Sequence, residues 1–259
     1  MLDSLYIAAT GMHAQQLNVD TISNNLANVN TLGFKRARVN FEDLVYRALP
    51  QGGRRPAGEI AAARQGSGVA VGSSTQIFTG GDLKKTEQPL DLAVRGGGFF
   101  EVTLTDGSHA YTRAGSFQLD RDGFFTTAQG LLLSPTIQVP PDASALTIDT
   151  TGLVKATLPD EAQPVELGQL ELTGFVNEGG LRPLGNNLYA PTEQSGDAQT
   201  GKPGEKGLGS VAQGFVETSN VKLVEEFVNL IVAQRAYEAS SKAIQAADEM
   251  LAISNSLRR

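Results

Sequence analysis

The sequence predicts an α+β fold: heptad helices at the N- and C-termini pair as a coiled-coil-like core, and a mostly antiparallel, all-β domain lies between them. Three observations carry this expectation. Apolar residues recur at intervals of seven at both ends of the chain. Short runs of β-branched and aromatic residues, punctuated by glycine, fill the middle. A stretch rich in glycine and small residues separates the first helix from those runs. The implied division is residues 1–34 with 219–259 as a helical assembly domain, 35–74 as an extended connector, and 75–218 as the β domain.

In the first helix Leu5, Met12, Val19 and Leu26 sit seven apart, and Ala8, Ile22 and Val29 each follow a member of that series by three. One narrow stripe is therefore apolar, which an ordinary core-facing helix would also show. Asparagine tolerates the left-handed region and Gly33 frees φ, so the helix should stop around 28–30. The row Asn24, Asn25, Asn28 and Asn30 reads either as capping or as amide contacts between subunits.

FEDLVYRAL, 41–49, fits a short helix or strand, and 50–74 reads as an extended connector. From Thr75 the pattern is β. Asp106-Gly107 and Asp122-Gly123 are hairpin signals suited to type I′ turns, with further strands expected at 146–148, 165–175 and 187–190. Residues 195–210 contain few apolar side chains and read as a surface loop. Thr218, Ser219 or Asn220 would cap the last helix, with Glu225 and Glu226 at the positive end of its dipole. Along that helix Leu223, Leu230, Tyr237, Ile244 and Leu251 repeat at sevens, flanked by Phe227, Ile231 and Ala247. No long helix lies between the two seams, so each must bury against the other or against further copies of the chain.

Composition narrows the function. A net charge of −7 and no long basic run argue against nucleic-acid binding. The absence of cysteine removes disulfide and thiol chemistry, and two histidines, His13 and His109, supply metal or acid–base sites poorly. No run approaches the roughly 18 apolar residues of a membrane span. A secretory signal needs a positive n-region, yet the first cation is Lys35.

Three motif fragments reduce to turns. GDAQTGK, 196–202, has phosphate-loop spacing, but Pro203 stands where the magnesium-binding hydroxyl belongs and no apolar strand leads in. Asp120, Asp122 and Gly123 open like a calcium loop without its later glutamate. Gly96, Gly97 and Gly98 precede Phe99 and Phe100, strand residues, whereas a dinucleotide fingerprint opens a helix. No catalytic, cofactor-binding or metal-ligating residue is assigned.

SLYIAATGMHAQQLNVDTISNNLANVNTLGFKR, 4–36, with its core ANVNTLGFK, resembles the rod and hook axial proteins of the bacterial flagellum. So do QGFVETSNVKLVEEFVNLIVAQRAYEASSKAIQAADEML, 213–251, and the β segments DLAVRGGGFFEV and YTRAGSFQLDRDGFF. The resemblance covers nearly the whole chain, and the segment after Phe41 together with the length is similar to the distal rod type. Departures fall at Ser240, where the family pattern has asparagine, and at Phe227 and Leu230, where it has smaller or methionine side chains.

The resemblance implies a non-enzymatic structural subunit of the distal rod, polymerising into a helical tube that carries torque from motor to hook. It implies a place in the basal body within the cell envelope, reached by the flagellar type III export apparatus without a cleaved signal peptide. Implied partners are further copies of the chain, proximal rod proteins, the hook protein, the export apparatus, and the P and L rings where the cell has an outer membrane. Neither nucleic acid, membrane insertion nor a cofactor is implied. The assembly residues expected are Leu5, Met12, Val19, Ile22, Leu26, Asn28, Gly33 and Phe34 at one end, and Leu223, Phe227, Leu230, Tyr237, Ile244 and Leu251 at the other. The connector 50–74 would stiffen contacts between neighbours, and Phe41 to Val45 has the spacing of an export-gate signal. Alternative readings are a proximal rod or hook subunit, or a peptidoglycan-processing enzyme, which would need two catalytic carboxylates in a cleft.

Overall fold

Two helices bracket the chain, as the periodicity requires: α1, Leu2–Ala27, and α2, Leu223–Ser256. The computed structural model describes residues 2–44, 47–48, 64–159 and 163–256. Together with the strands between the helices it gives an α+β protein whose strand pairs of resolved direction are all antiparallel. The chain divides into two compact units, one of Met1–Leu26, Ala37–Thr75 and Lys222–Arg259, the other of Ala27–Arg36 and Gln76–Val221.

In the first unit, α1 ties its hydroxyls to its own backbone. Thr10 donates to the Ile7 carbonyl, Thr21 to Leu17 and Ser23 to Val19, at 2.7–2.8 Å, which satisfies their protons within the helix, and Thr10 also accepts from the Val69 N–H at 3.4 Å. Near its end Asn25, buried, accepts from the Ala37 N–H and donates to the Ala37 carbonyl, both at 2.9 Å. Its amide acts as a one-residue strand partner, so this asparagine serves the chain's own backbone and is not available to another subunit. Strand Ala37–Asp43 bonds to Val69–Gln76, and Arg47–Ala48 pairs with Arg64–Gln65. Part of 35–74 is thus a β ribbon. Residues 45–46 and 49–63 lie outside the described residues, so most of the predicted connector and Val45 of the Phe41–Val45 signal carry no structural account.

None of the three expected caps starts α2. Thr218 Oγ1 donates to the Asp82 carbonyl, Asn220 Nδ2 to Ile77 and Thr79, and Ser219 Oγ accepts from Val221 N–H. The first helical amide bond runs instead from Glu226 to the Lys222 carbonyl. The cap-type side chains were legible, but the irregular segment 77–82, distant in sequence, engages Thr218 and Asn220 first.

The second unit carries a seven-stranded antiparallel sheet. Its order is Arg182–Gly185, Leu188–Ala190, His109–Thr112, Phe100–Thr103, Leu132–Ser134, Phe125–Thr127, Phe117–Leu119. A three-stranded sheet, Ala145–Ile148, Leu153–Thr157 and Val165–Gln169, adds its inner face to the same core. Phe100, Val102, Phe125, Leu133, Val154 and Leu172 are fully buried there, each worth about 1.5–3 kcal/mol of transfer free energy. A smaller aromatic cluster joins Phe99, Tyr111 and Tyr189 to Phe78 and Phe175, with edge-to-face pairs at 4.8–5.4 Å between Tyr111 and Phe175 and between Phe78 and both Phe99 and Tyr189.

The hairpins at Gly107 and Gly123 differ from the expected type I′. Leu104 N–H bonds to Ser108 O and Asp120 N–H to Phe124 O, closing three-residue loops in which only the glycine has positive φ, +81° and +82°. A type I turn followed by a left-handed glycine forms a G1 bulge, and aspartate at the middle position needs no positive φ. The type I′ turn occurs at Asn186-Asn187, φ +52° and +58°, between the paired Gly185 and Leu188. The 195–210 segment is also more ordered than a surface loop: Gln199–Gly201 pairs with Leu172–Gly174 and Ser195 is buried. Its order comes from backbone pairing and from hydroxyl bonds such as Ser195 to the Thr192 carbonyl, which a hydrophobicity pattern does not register.

Candidate functional site

The motif after α1 and the motif before α2 meet inside the second unit. Gly33 donates its N–H to the Glu217 carbonyl at 2.8 Å, at φ +68°. A Cβ there would stand 2.5 Å from the Ala114 nitrogen, so both the conformation and the space require glycine. Two residues on, Lys35 is fully buried; its Nζ reaches Glu217 Oε1 at 2.5 Å and the Thr79 carbonyl at 2.9 Å. Glu217, 1% exposed, also accepts from the Gly81 N–H at 2.8 Å and, through Oε2, from Arg113 Nη1 at 3.4 Å. Arg113, 2% exposed, donates to the Gly96 carbonyl at 2.8 Å and lies 5.2 Å from the Phe99 ring centroid.

Asn220 completes the arrangement by strand-like bonding. Its Oδ1 accepts from Arg36 N–H at 2.8 Å and its Nδ2 donates to Ile77 O at 2.7 Å, while Ile77 N–H reaches Arg36 O at 2.9 Å. Asn187, in the type I′ turn, donates to the Leu32 carbonyl at 2.9 Å. Burial pulls the Lys35 pKa below its ordinary value against the opposing pull of Glu217. Burial likewise raises the Glu178 carboxyl, with Arg113 and Lys35 acting the other way. Removing one member of such a buried pair costs about 3–5 kcal/mol, because the other charge is stranded. Beside this clasp opens a cleft of about 450 Å³ lined by Phe78, Leu83, Arg95, Arg113, Glu178 and Glu217.

The expected assembly residues fall into three groups. Gly33 is buried and Phe34 half-buried in the clasp, where the Phe34 carbonyl accepts from Asn220 N–H; Asn28 accepts from the Thr31 hydroxyl at 3.0 Å. Leu5, Met12, Val19, Leu26, Leu230, Ile244 and Leu251 are half-buried on their helices, and Ile22 is buried. Leu223, Phe227 and Tyr237 are exposed. The fully covered positions of α2 are instead Glu226, Ala233 and Ala247, in one heptad series with half-buried Ser240. In α1 Ala14 is covered, and Gly11 lies where an added Cβ would be 3.5 Å from Ser240 Oγ. Small side chains, which carry little weight in a hydrophobic pattern, take the closest contacts.

Beyond them, Val224, Phe227, Val228, Ile231 and Val232 form an apolar face left exposed among the described residues, Val224 being 74% and Val232 62% exposed. Lys35, Arg113 and Glu217 were not assigned a site role from sequence, and Asn220 was read there only as a helix cap. The available signal was a lone charge inside an apolar strand run, as in AYTRAG and GFVET.

No helix among the described residues is long and apolar enough to cross a membrane, and no group of acidic or histidine side chains there is placed to hold a metal. Comparison with known proteins gives three family matches in chain order: "Flagella basal body rod protein" over 5–35, "Flagellar hook protein FlgE/F/G D1 domain" over 93–156, and "Flagellar basal body rod FlgEFG protein C-terminal" over 212–257. The flagellar basal-body rod protein FlgG of Buchnera aphidicola subsp. Schizaphis graminum is 46% identical over 254 residues, 97% of this chain and 98% of its own. Those of Borreliella burgdorferi and Caulobacter vibrioides are 43% and 44% identical over 268 and 261 residues, covering 100% and 99% of this chain and 100% of each relative. A relationship of this extent, running through both helices, the clasp and the β unit, makes the chain a member of the FlgG family of flagellar basal-body rod proteins.

Proposed function

We propose that the chain is a structural subunit of the flagellar distal rod that polymerises, without catalysing a reaction, into a helical tube transmitting torque to the hook. The observation that carries this reading is the uncovered apolar face of α2, Val224, Phe227, Val228, Ile231 and Val232, on a chain of the rod family. α2 is 34 residues long, about 50 Å at 1.5 Å per residue, long enough to meet more than one neighbour. Head-to-tail repetition of such contacts builds a filament instead of a closed ring. The half-buried series Leu230, Ile244 and Leu251, with small residues between, supports a coiled-coil-like pairing of α1 and α2 inside each subunit. The helices with their roots form the assembly domain and the β unit the outer wall.

Export by the type III apparatus and contacts with proximal rod, hook and ring proteins follow from the same reading. A carboxylate-pair enzyme is disfavoured because, of the two glutamates lining the cleft, Glu217 is already bonded through both oxygens to Lys35, Gly81 and Arg113.

Val228→Asp places a charge in the middle of the apolar face without touching a buried residue. The variant should melt like the parent, within about 0.5 kcal/mol, yet fail to form rods and leave a strain carrying it as sole copy non-motile. Normal motility would sink the reading.

A further inference from the structure

We propose that residues 33–36, 77–82 and 215–220 form a latch that opens and closes as one unit, separately from the hydrophobic core, and whose closure fixes the roots of both terminal helices. The latch is a mechanical property of the β unit and stands independently of what the polymer does. Its first basis is the location of charge. Lys35 and Glu217 are 182 residues apart in sequence, and each is buried with the other as its nearest counter-charge. Its second basis is the type of bonding. The links that join the three segments to one another are polar: Gly33 to Glu217, Arg36 and Ile77 to Asn220 or each other, Gly81 to the Glu217 carboxylate, Thr218 to Asp82, while the apolar packing of Phe78 is on the smaller aromatic cluster and not on the main core.

The core built on Phe100, Val102, Phe125 and Leu133 contains none of these residues. It therefore retains its apolar burial when the latch is open. Buried ion pairs add little net stability, because desolvation offsets attraction, but they admit only one arrangement of partners. A joint of this kind is weakly held and geometrically specific. α1 ends at Ala27 and α2 begins at Leu223, so the segments the latch holds are the covalent roots of both helices.

Native-state hydrogen exchange on the full chain in low denaturant tests this. The amides of Gly33, Ile77, Gly81 and Thr218 should share one opening whose protection is lower than that of Val102 and Leu133. Glu217→Gln should speed exchange at those four by about tenfold or more with Val102 unchanged, and Lys35→Met added to it should restore protection to within a few-fold. If the four amides follow the same unfolding curve as Val102 in the parent protein, there is no separate latch. A latch is equally ruled out if Glu217→Gln accelerates all amides to the same degree, and the parent-protein measurement decides the matter should that variant not fold.

Discussion

At the scale of single residues, the decisive side chains are charged ones in places where charge is expensive. Lys35, Arg113 and Glu217 are tolerated inside the β unit because each meets an opposite charge or a carbonyl. Glu178 lies at the margin of the same group with a carboxyl raised above its ordinary 4.5 by burial. Between 4.5 and that raised value the folded state holds more protons than the unfolded one. Stability tied to this group is therefore complete below 4.5 and declines as pH climbs through the folded pKa. Glutamine mimics the protonated form. Glu178→Gln should leave the urea midpoint unchanged near pH 4 and raise it at about pH 7; an equal shift at both pH values would show that burial of charge is not the cause.

At the scale of elements, α2 has two working faces of different chemistry. One is lined by Ala233, Ser240 and Ala247 with half-buried Leu230 and Ile244 beside them; the other exposes Val224, Phe227, Val228 and Ile231. Ala247→Leu adds volume where the structure leaves none and should cost about 1–3 kcal/mol, read as loss of helical signal in denaturant titration. Val224→Leu on the outer face should stay within about 0.5 kcal/mol. Similar losses from both would mean the helix has no preferred inner side. Among the β elements, Gln213 spares an edge strand from open pairing: its amide accepts from Ile148 N–H and donates to the Leu146 and Pro89 carbonyls.

At the scale of the molecule, two compact units share one chain that crosses between them repeatedly. The β unit holds the large aromatic and aliphatic core, whereas few side chains of either helix are fully buried. Scanning calorimetry of the monomer should accordingly resolve two transitions, with helical circular dichroism lost across the first and the near-ultraviolet signal of buried Tyr111 and Tyr189 across the second. A single coincident transition would make the chain one cooperative body. Polymerisation should raise the first transition, because anything that binds only the folded helices stabilises them.

The sequence alone determined the helices at both ends, the antiparallel β region between them, the positions of the glycine turns and the motifs that mark the family. These are local or periodic properties, written in residues a few positions apart. Tertiary structure decided which stripe of each helix is most deeply covered, since alanine, serine and glycine at close contacts leave no mark in a hydrophobic pattern. It also decided that cap-like Thr218 and Asn220 would bond to the distant segment 77–82, and that GFK and ETSN would meet as a clasp. Burying a charge is possible only beside its partner, and for Lys35 that partner lies at the far end of the chain.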